Sequence, residues 1–265
     1  MRTLIFWLSL IAFPLSMKAQ EGKIGKRIGI EMGFHEFFGS TIIPDQVRSI
    51  KSIETIETGY YDSYYNRYND NASQAIHKIY VGIKYEALFF KHRLGVSSGL
   101  RFYQTSARLN HSKHYDAFMW MLRQDEQSAE YVTIRTITQK NHYVCVPLEI
   151  RFFARKRDRI FKHYFKIGGS FNYRFSTNDK IDFQDAQMSK YEAEIKSKIQ
   201  DPCTFSGFVF PAFGFKWGRN NNPWVNVEFQ FPGFLIAQRK HAFVEPDVGF
   251  GMQFSFQLPL NKITP

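Results

Sequence analysis

Few residues of this sequence have the types and spacing that catalysis requires. His111 and His114 could bind a metal ion from one face of a helix near Asp116, but no HExxH motif and no third histidine accompany them. A serine within reach of a histidine would suit lipid hydrolysis, yet Ser97 and His163 are single residues in strand-like segments. We therefore expect no catalytic residues, no cofactor and no metal.

A second set of polar groups consists of charged residues that alternate with apolar ones. If these segments are strands, the charges share one face and point into a barrel. The interior of such a barrel is narrow and is filled by side chains. Opposite charges should pair there, because burying an unpaired charge is costly. Lys216 and Glu228 also alternate with apolar neighbours and are expected on the same inward face. The predicted interior charge network comprises Glu31, Lys84, Glu86, Arg101, Glu149, Arg151, Lys166 and Arg174.

The elements that would position these charges are eight segments with a period of two. They are predicted at 27–37, 77–89, 93–105, 140–153, 161–175, 204–217, 223–231 and 247–258. Short turns and long polar loops join them alternately, which is typical of outer-membrane barrels with short periplasmic turns and longer outer loops. We therefore predict an all-β fold, an eight-stranded antiparallel up-and-down transmembrane β-barrel with long, partly helical extracellular loops.

Composition agrees with a barrel wall. Of 265 residues, 28 are Phe and 14 are Tyr, and the mean hydropathy of −0.35 fits strands that show only every second residue to lipid. Aromatic residues at the short turns should form a girdle. This girdle is predicted to contain Phe89, Phe90, Phe152, Phe153, Phe161, Trp217 and Trp224.

The first 19 residues have the pattern of a secretory signal peptide. Arg2 provides the charged start, 4–15 the apolar run, and Ala19 a small residue before the cleavage point. The domain division is therefore a signal peptide at 1–19 and a barrel domain at 20–265. With an even strand number, both mature termini should be periplasmic, in the outer membrane of a Gram-negative bacterium. Cys145 and Cys203 fall at different depths of the wall, so we expect them to stay unpaired.

The loops and one turn contain the candidate partner-binding residues. Loops are predicted at 38–76, 106–139, 176–202 and 233–246, with short helices at 185–199 and 114–130. The first loop is rich in tyrosine, which suits either a binding surface or a cap packed on the barrel rim. The basic turn suits a solvated rim anchor, or a docking site for an acidic periplasmic partner or lipid phosphates. The possible contact residues are Tyr60, Tyr61, Tyr64, Tyr65, Arg155, Lys156 and Arg157.

Two segments resemble strands of the PorT-like family of outer-membrane β-barrel proteins. The segment 143–153, YVCVPLEIRFF, is similar to a recurrent strand of that family, and the glycine-rich 165–173, FKIGGSFNY, is similar to the strand that follows it. The hairpin strand 94–102 is also similar. The resemblance implies an eight-stranded barrel without known catalytic residues and, in some members, a role in protein secretion or outer-membrane assembly. The chain differs in continuing past Phe256 to Pro265, because many such barrels end on an aromatic residue.

The leading functional hypothesis is a non-enzymatic outer-membrane barrel that serves as a structural or accessory subunit of a secretion or assembly complex. Its expected partners are outer-membrane lipid and other outer-membrane or periplasmic proteins, and not nucleic acid, because the chain is predicted to be exported. The alternatives are a lipid-modifying outer-membrane enzyme, a small passive pore, and a soluble lipocalin-like barrel, whose outer face would be polar.

Overall fold

The computed structural model describes residues 25–41, 47–50, 72–90, 92–111, 118–124, 129–154, 159–199, 202–231, 233–237 and 244–260. The strands are β1 Gly25–Thr41, β2 Val47–Ile50, β3 Ala72–Phe89, β4 Leu94–His111, β5 Phe118–Gln124, β6 Ala129–Phe153, β7 Phe161–Phe183, β8 Phe205–Trp217, β9 Trp224–Gln230, β10 Phe234–Ala237 and β11 Val244–Pro259. A 3₁₀ helix, Ala186–Tyr191, leads into helix α1, Glu192–Lys198.

Eight of these strands close into one antiparallel ring. The order is β1, β3, β4, β6, β7, β8, β9 and β11, and β11 pairs back with β1. Following paired residues once around the ring from Lys166 leads back to β7 at Thr177, 11 residues further along. Such a stagger tilts the strands by about 40°. The predicted fold class is confirmed.

Six of the eight ring strands are longer than the alternation predicts, whereas β8 and β9 are slightly shorter. β6 begins at Ala129 and β7 continues to Phe183, while β5 and β2 add to the edge of β6 beyond the end of β4. The helix predicted at 114–130 is therefore wrong: residues 118–124 form a strand paired with β6. The ladder with β6 supplies backbone hydrogen bonds that an isolated amphipathic segment would have to find within a helix. The predicted helix at 185–199 is present as the 3₁₀ helix and α1.

The outer face of the ring is apolar and the inner face is polar. On β11 and the residue that follows it, the outward residues from Phe250 to Leu260 are mostly large and exposed. Ten residue steps of about 3.3 Å, tilted by about 40°, give a band about 25 Å tall, the height of the lipid-facing band of outer-membrane barrels. The inner face contains most of the buried charged residues. Within the part of the chain that is described, no helix combines the length and apolarity needed to cross a membrane.

Two residues of the predicted aromatic girdle point inward instead. Trp224 and Phe153 are buried, and both pack with Tyr164 and Leu88 inside the ring. Their position in the alternation explains this. On β9, for example, Val225 points outward, so its neighbour Trp224 lies on the inward face. Trp217 and Phe161 are exposed and contact each other at 4.9 Å between ring centroids.

Candidate functional site: the filled lumen

The centre of the lumen contains a continuous network of ion pairs. Glu149 on β6 accepts hydrogen bonds from Lys84, from Arg101 at 2.5 Å, and from Lys166 at 3.1 Å. Ser97 donates a fourth, at 3.3 Å. All five side chains are buried. One carboxylate therefore joins cations from three different strands.

The network continues from Glu149 to the opposite walls. On one side, Glu31 of β1 accepts from Arg101 and lies 3.3 Å from Lys84. On the other side, Glu228 of β9 accepts from Lys166 and, at 2.5 Å, from Arg151. The connections therefore cross the barrel from β1 to β9.

A fourth carboxylate balances the charges. Glu86 lies 3.3 Å from the guanidinium of Arg151. The network thus joins four carboxylates to four cations, which lets charges stay buried in a space without bulk water. Its members are Glu31, Glu86, Glu149, Glu228, Lys84, Arg101, Arg151 and Lys166.

Arg174 is a correction to the predicted network. It is only half-buried and lies towards the outer end of β7, where it donates to Thr177, which in turn donates to Asn141 at 2.8 Å. The strand register is shifted by a bulge between β6 and β7 at this level. Period-two alternation places Arg174 on the inner face but not at the height of the network.

Neutral polar side chains complete the network, and the sequence analysis missed them. Gln253 donates to Glu31 at 2.9 Å and accepts from Tyr80 at 2.7 Å and from Gln230 at 2.8 Å. Tyr164 donates to Glu228 at 2.7 Å. These residues share the inward phase of the charged ones, and that phase is the signal that could have identified them.

The lumen is also filled at the end where the short turns lie, which we call the short-turn end. The ring of Trp224 lies 3.7 Å from the guanidinium carbon of Arg27 and 3.9 Å from the ammonium of Lys216, measured to the ring centroid. Arg27 also donates to the backbone oxygens of Asn220 and Asn222, at 2.8 and 2.5 Å. Cation–π contacts of this kind strengthen when they are desolvated. The turn between β8 and β9 is thereby bound to the inside of β1.

The opposite half of the lumen contains a large apolar cluster. Phe37, Phe208 and Phe210 continue into a cluster of aliphatic residues near the long ends of β6 and β7. Ile195 of α1 and the following Ile199 belong to the same buried cluster. The helix therefore covers this end of the lumen with its apolar side.

The remaining candidate residues do not form a site that the structure describes. Tyr60, Tyr61, Tyr64, Tyr65 and the turn 155–157 lie outside the described residues, as does the segment 1–19. Cys145 and Cys203 are both buried, and no disulfide joins them. Within the described ranges, no group of three or more His, Cys, Asp or Glu residues is arranged to hold a metal ion.

No known protein-family profile matches the chain, and no curated protein matches its sequence. Among solved structures, it is similar to the outer membrane protein OprG from Pseudomonas aeruginosa, with 11% identity and a TM-score of 0.37, over 89% of this chain and 93% of that one. It is also similar to Ail, the attachment invasion locus protein of Yersinia pestis, with 12% identity and a TM-score of 0.28, over 88% and 97%. A second Ail structure, in complex with the heparin analogue sucrose octasulfate, gives 10% identity and a TM-score of 0.27, over 89% and 97%. Scores this low transfer no function from those proteins to this chain.

Proposed function

We propose that this protein is a non-enzymatic outer-membrane β-barrel that conducts no ions and acts as an accessory subunit of an outer-membrane complex. The main observation in support is that the barrel is arranged opposite to a water-soluble protein. Its exposed wall is apolar, and its interior contains a balanced network of buried charges. In water an exposed wall of this size would aggregate, whereas lipid is its natural solvent.

The filled lumen supports the absence of conduction. The side chains that meet at Glu149 and Glu228 come from β3, β4, β6, β7 and β9, so they cross the whole interior. An ion entering this layer would have to displace paired charges, whose separation is costly in a low dielectric. Function is then left to the outer wall and to the two ends of the barrel.

Conductance measurements test the closed lumen. The purified full chain, inserted in a planar bilayer, is expected to produce no current steps above those of the protein-free bilayer. The double variant Lys166→Ala/Glu228→Ala removes one cation and one carboxylate, so the remaining network stays neutral. We expect this variant to produce small steps, because two side chains that cross the centre are shortened. Reproducible steps from the wild-type barrel would contradict a closed lumen.

The proposed accessory role rests on what projects beyond the apolar wall. The strands β2, β5, β6 and β7 form a sheet that extends past the ends of β4 and β8, and α1 packs beside it. Its described surface is polar and includes an ion pair between Lys180 and Asp182 at 2.8 Å. Such a polar projection can form a contact surface for another protein. The resemblance to PorT-like proteins favours a partner in secretion or assembly.

Co-purification tests the accessory role. After mild cross-linking in cells and extraction in a mild detergent, we expect a second outer-membrane or periplasmic protein in stoichiometric amount. Lys180→Glu changes the projecting sheet and Arg159→Glu changes the short-turn end, and both side chains are exposed. We expect one of them to reduce recovery of the partner and the other to leave it unchanged. Recovery of the barrel only as a lone monomer would contradict the accessory role.

A further inference from the structure

The outward face of β4, β6 and β7 changes from apolar to polar within one row of paired residues. Its last apolar row consists of Phe102, Val144 and Tyr173, which are 37–45% exposed. The next three rows, away from the short-turn end, are polar on all three strands. An apolar band faces the hydrocarbon of the membrane, so these polar rows lie at and above the level where lipid head groups begin.

Three cations form a triangle within these polar rows. Arg108 of β4 and Lys180 of β7 are both paired with Thr138 of β6. Lys140, two residues along β6 from Thr138, is the diagonal neighbour of both cations, and such neighbours have Cα atoms about 7–8 Å apart. All three cationic side chains are exposed. We call Arg108, Lys140 and Lys180 the basic triangle.

One cation of the basic triangle has no acidic partner among the described residues. Lys180 pairs with Asp182 at 2.8 Å, whereas Lys140 forms no ion pair with any described residue. Further along the row of Lys140, on β1, the carboxylate of Glu36 lies 4.0 Å from His77 instead. Because like charges repel, an external anion bound beside Lys140 would stabilise the basic triangle.

An aromatic cluster lies directly below Lys140, on the side of the apolar band. His142, two residues from Lys140 on the same face of β6, contacts Phe102 and Phe175, at 6.0 and 6.1 Å between ring centroids. The two phenylalanine rings are exposed and lie 5.9 Å from each other. Aromatic rings are enriched where the hydrocarbon of a membrane meets its head groups. The cluster therefore marks the head-group boundary just below the basic triangle.

The distance from the apolar band to Lys140 suits a lipid head group. Lys140 lies four residues beyond Val144, which is about 10 Å along the axis of a barrel with tilted strands. The polar region of a bilayer is roughly 5–8 Å thick on each side, and the flexible stem of a lysine can bring its ammonium back to that level. The cation would then meet phosphate groups, while Phe102 and Val144 meet acyl chains.

These two adjoining surfaces define the two parts of a ligand. The cations select an anionic head, and phosphate forms strong charge-assisted hydrogen bonds with Arg and Lys. The apolar face below the cations selects acyl chains. A soluble anion would use only the cations, and an acidic protein would leave the lipid-facing surface unused. A phosphorylated lipid uses both surfaces.

We propose that the basic triangle binds the phosphorylated head of an outer-leaflet glycolipid of the lipid A class. Phosphate oxygens would accept hydrogen bonds from Arg108 and Lys140, and the acyl chains would lie along the apolar face below them. The proposal takes the end opposite the short turns as the outer end of the barrel, and it does not depend on the proposed accessory role.

Native mass spectrometry of the full chain measures this binding. The barrel is purified in a non-ionic detergent and titrated with bisphosphorylated lipid A, and the mass of bound ligand gives stoichiometry and affinity. We expect one lipid A per barrel, and an affinity at least about tenfold lower for Arg108→Gln/Lys140→Gln, because two charge-assisted bonds are lost. Lys140→Arg should retain most of the affinity, because it keeps the charge.

A charge-matched variant separates the position of the cations from the total charge. Arg93→Gln/Arg219→Gln also removes two exposed cations, but at the short-turn end, and should bind lipid A like the wild type. Lipid A without phosphates, and inorganic pyrophosphate without acyl chains, should each bind at least about tenfold more weakly than lipid A. Folding of each variant is verified by the gel mobility of unheated and heated samples, and Lys140→Gln alone allows a decision if the double variant does not fold.

Equal lipid A affinities of the two double variants would overturn the proposal, as would equal affinities for lipid A with and without phosphates. The titration contains no second protein, so its result is independent of the accessory role. If Arg108→Gln/Lys140→Gln loses a co-purified protein while its lipid A affinity is unchanged, the basic triangle is a protein contact and the glycolipid proposal is wrong.

Discussion

Replacing Glu149 with glutamine is expected to lower the free energy of unfolding of the barrel by about 3–5 kcal/mol, the usual cost of removing one partner from a buried ion pair. The glutamine keeps the shape of the side chain but removes the charge. Lys84, Arg101 and Lys166 would then share the three remaining carboxylates of the network. The interior would contain one uncompensated positive charge where no bulk water reaches.

Urea titration of the barrel in lipid vesicles, followed by gel mobility, measures this effect. Glu36→Gln is a suitable control, because Glu36 lies on the same barrel but is 37% exposed at its side chain and 4.0 Å from His77. Exposed pairs contribute roughly 0–1 kcal/mol, so this control should change little. Equal effects of the two substitutions would show that the ion pairs of Glu149 add nothing to stability.

Gly99→Ala is expected to destabilise the barrel by about 3 kcal/mol, at the upper end of the usual cost of overpacking. A β-carbon at this position would overlap the backbone oxygen of Ile83 and crowd the Cα atom of Lys84. Backbone atoms of a paired strand cannot move aside as a flexible side chain can, so β3 and β4 would have to separate locally. Gly99 is also opposite Pro147, where the β4–β6 pairing is interrupted.

Gly169→Ala is the matched control for this steric effect. A β-carbon on Gly169 would lie 3.7 Å from the oxygen of Leu148 and 4.0 Å from that of Phe208, which are ordinary contacts. Alanine there reduces the freedom of the unfolded chain, so stability should be unchanged or rise by about 0.4–1 kcal/mol. The same urea titration compares both variants. Similar stability of the two would mean that the close approach at Gly99 is not a constraint.

The central part of each strand was predictable because its two faces have different surroundings. One face of the strand lies against an apolar environment, and the other face lies against the packed lumen. The alternation of Val144, Val146 and Ile150 with Glu149 and Arg151 gives both the strand and its phase. The prediction of charged residues at these inward positions follows from the same phase. Which carboxylate meets which cation was not predictable, because that depends on the stagger around the ring.

The projecting sheet was missed for a physical reason. Above the apolar band, β6 and β7 bury Ile134, Ile137 and Ile181 on the inner face and expose polar residues on the other face. The outward apolar stripe that marks a membrane-spanning strand therefore ends, although both strands continue. The strand at 118–124 was mistaken for a helix because spacing alone does not reveal a neighbouring strand that supplies hydrogen bonds. The end of the β9–β11 pairing at Gln230 and Gly251 was equally unpredictable, because it depends on strand pairing and not on residue type.

The ion-pair network has a consequence for how the chain enters its membrane. Its partners are far apart in sequence, separated by 70 positions for Glu31 and Arg101 and by 77 for Arg151 and Glu228, so the network exists only once distant strands have met. A slip of one residue would turn the charges of that strand towards lipid, at a cost of about 2–4 kcal/mol for each Arg or Lys at mid-membrane. The buried charges therefore make a barrel closed in the wrong register less stable than the native barrel.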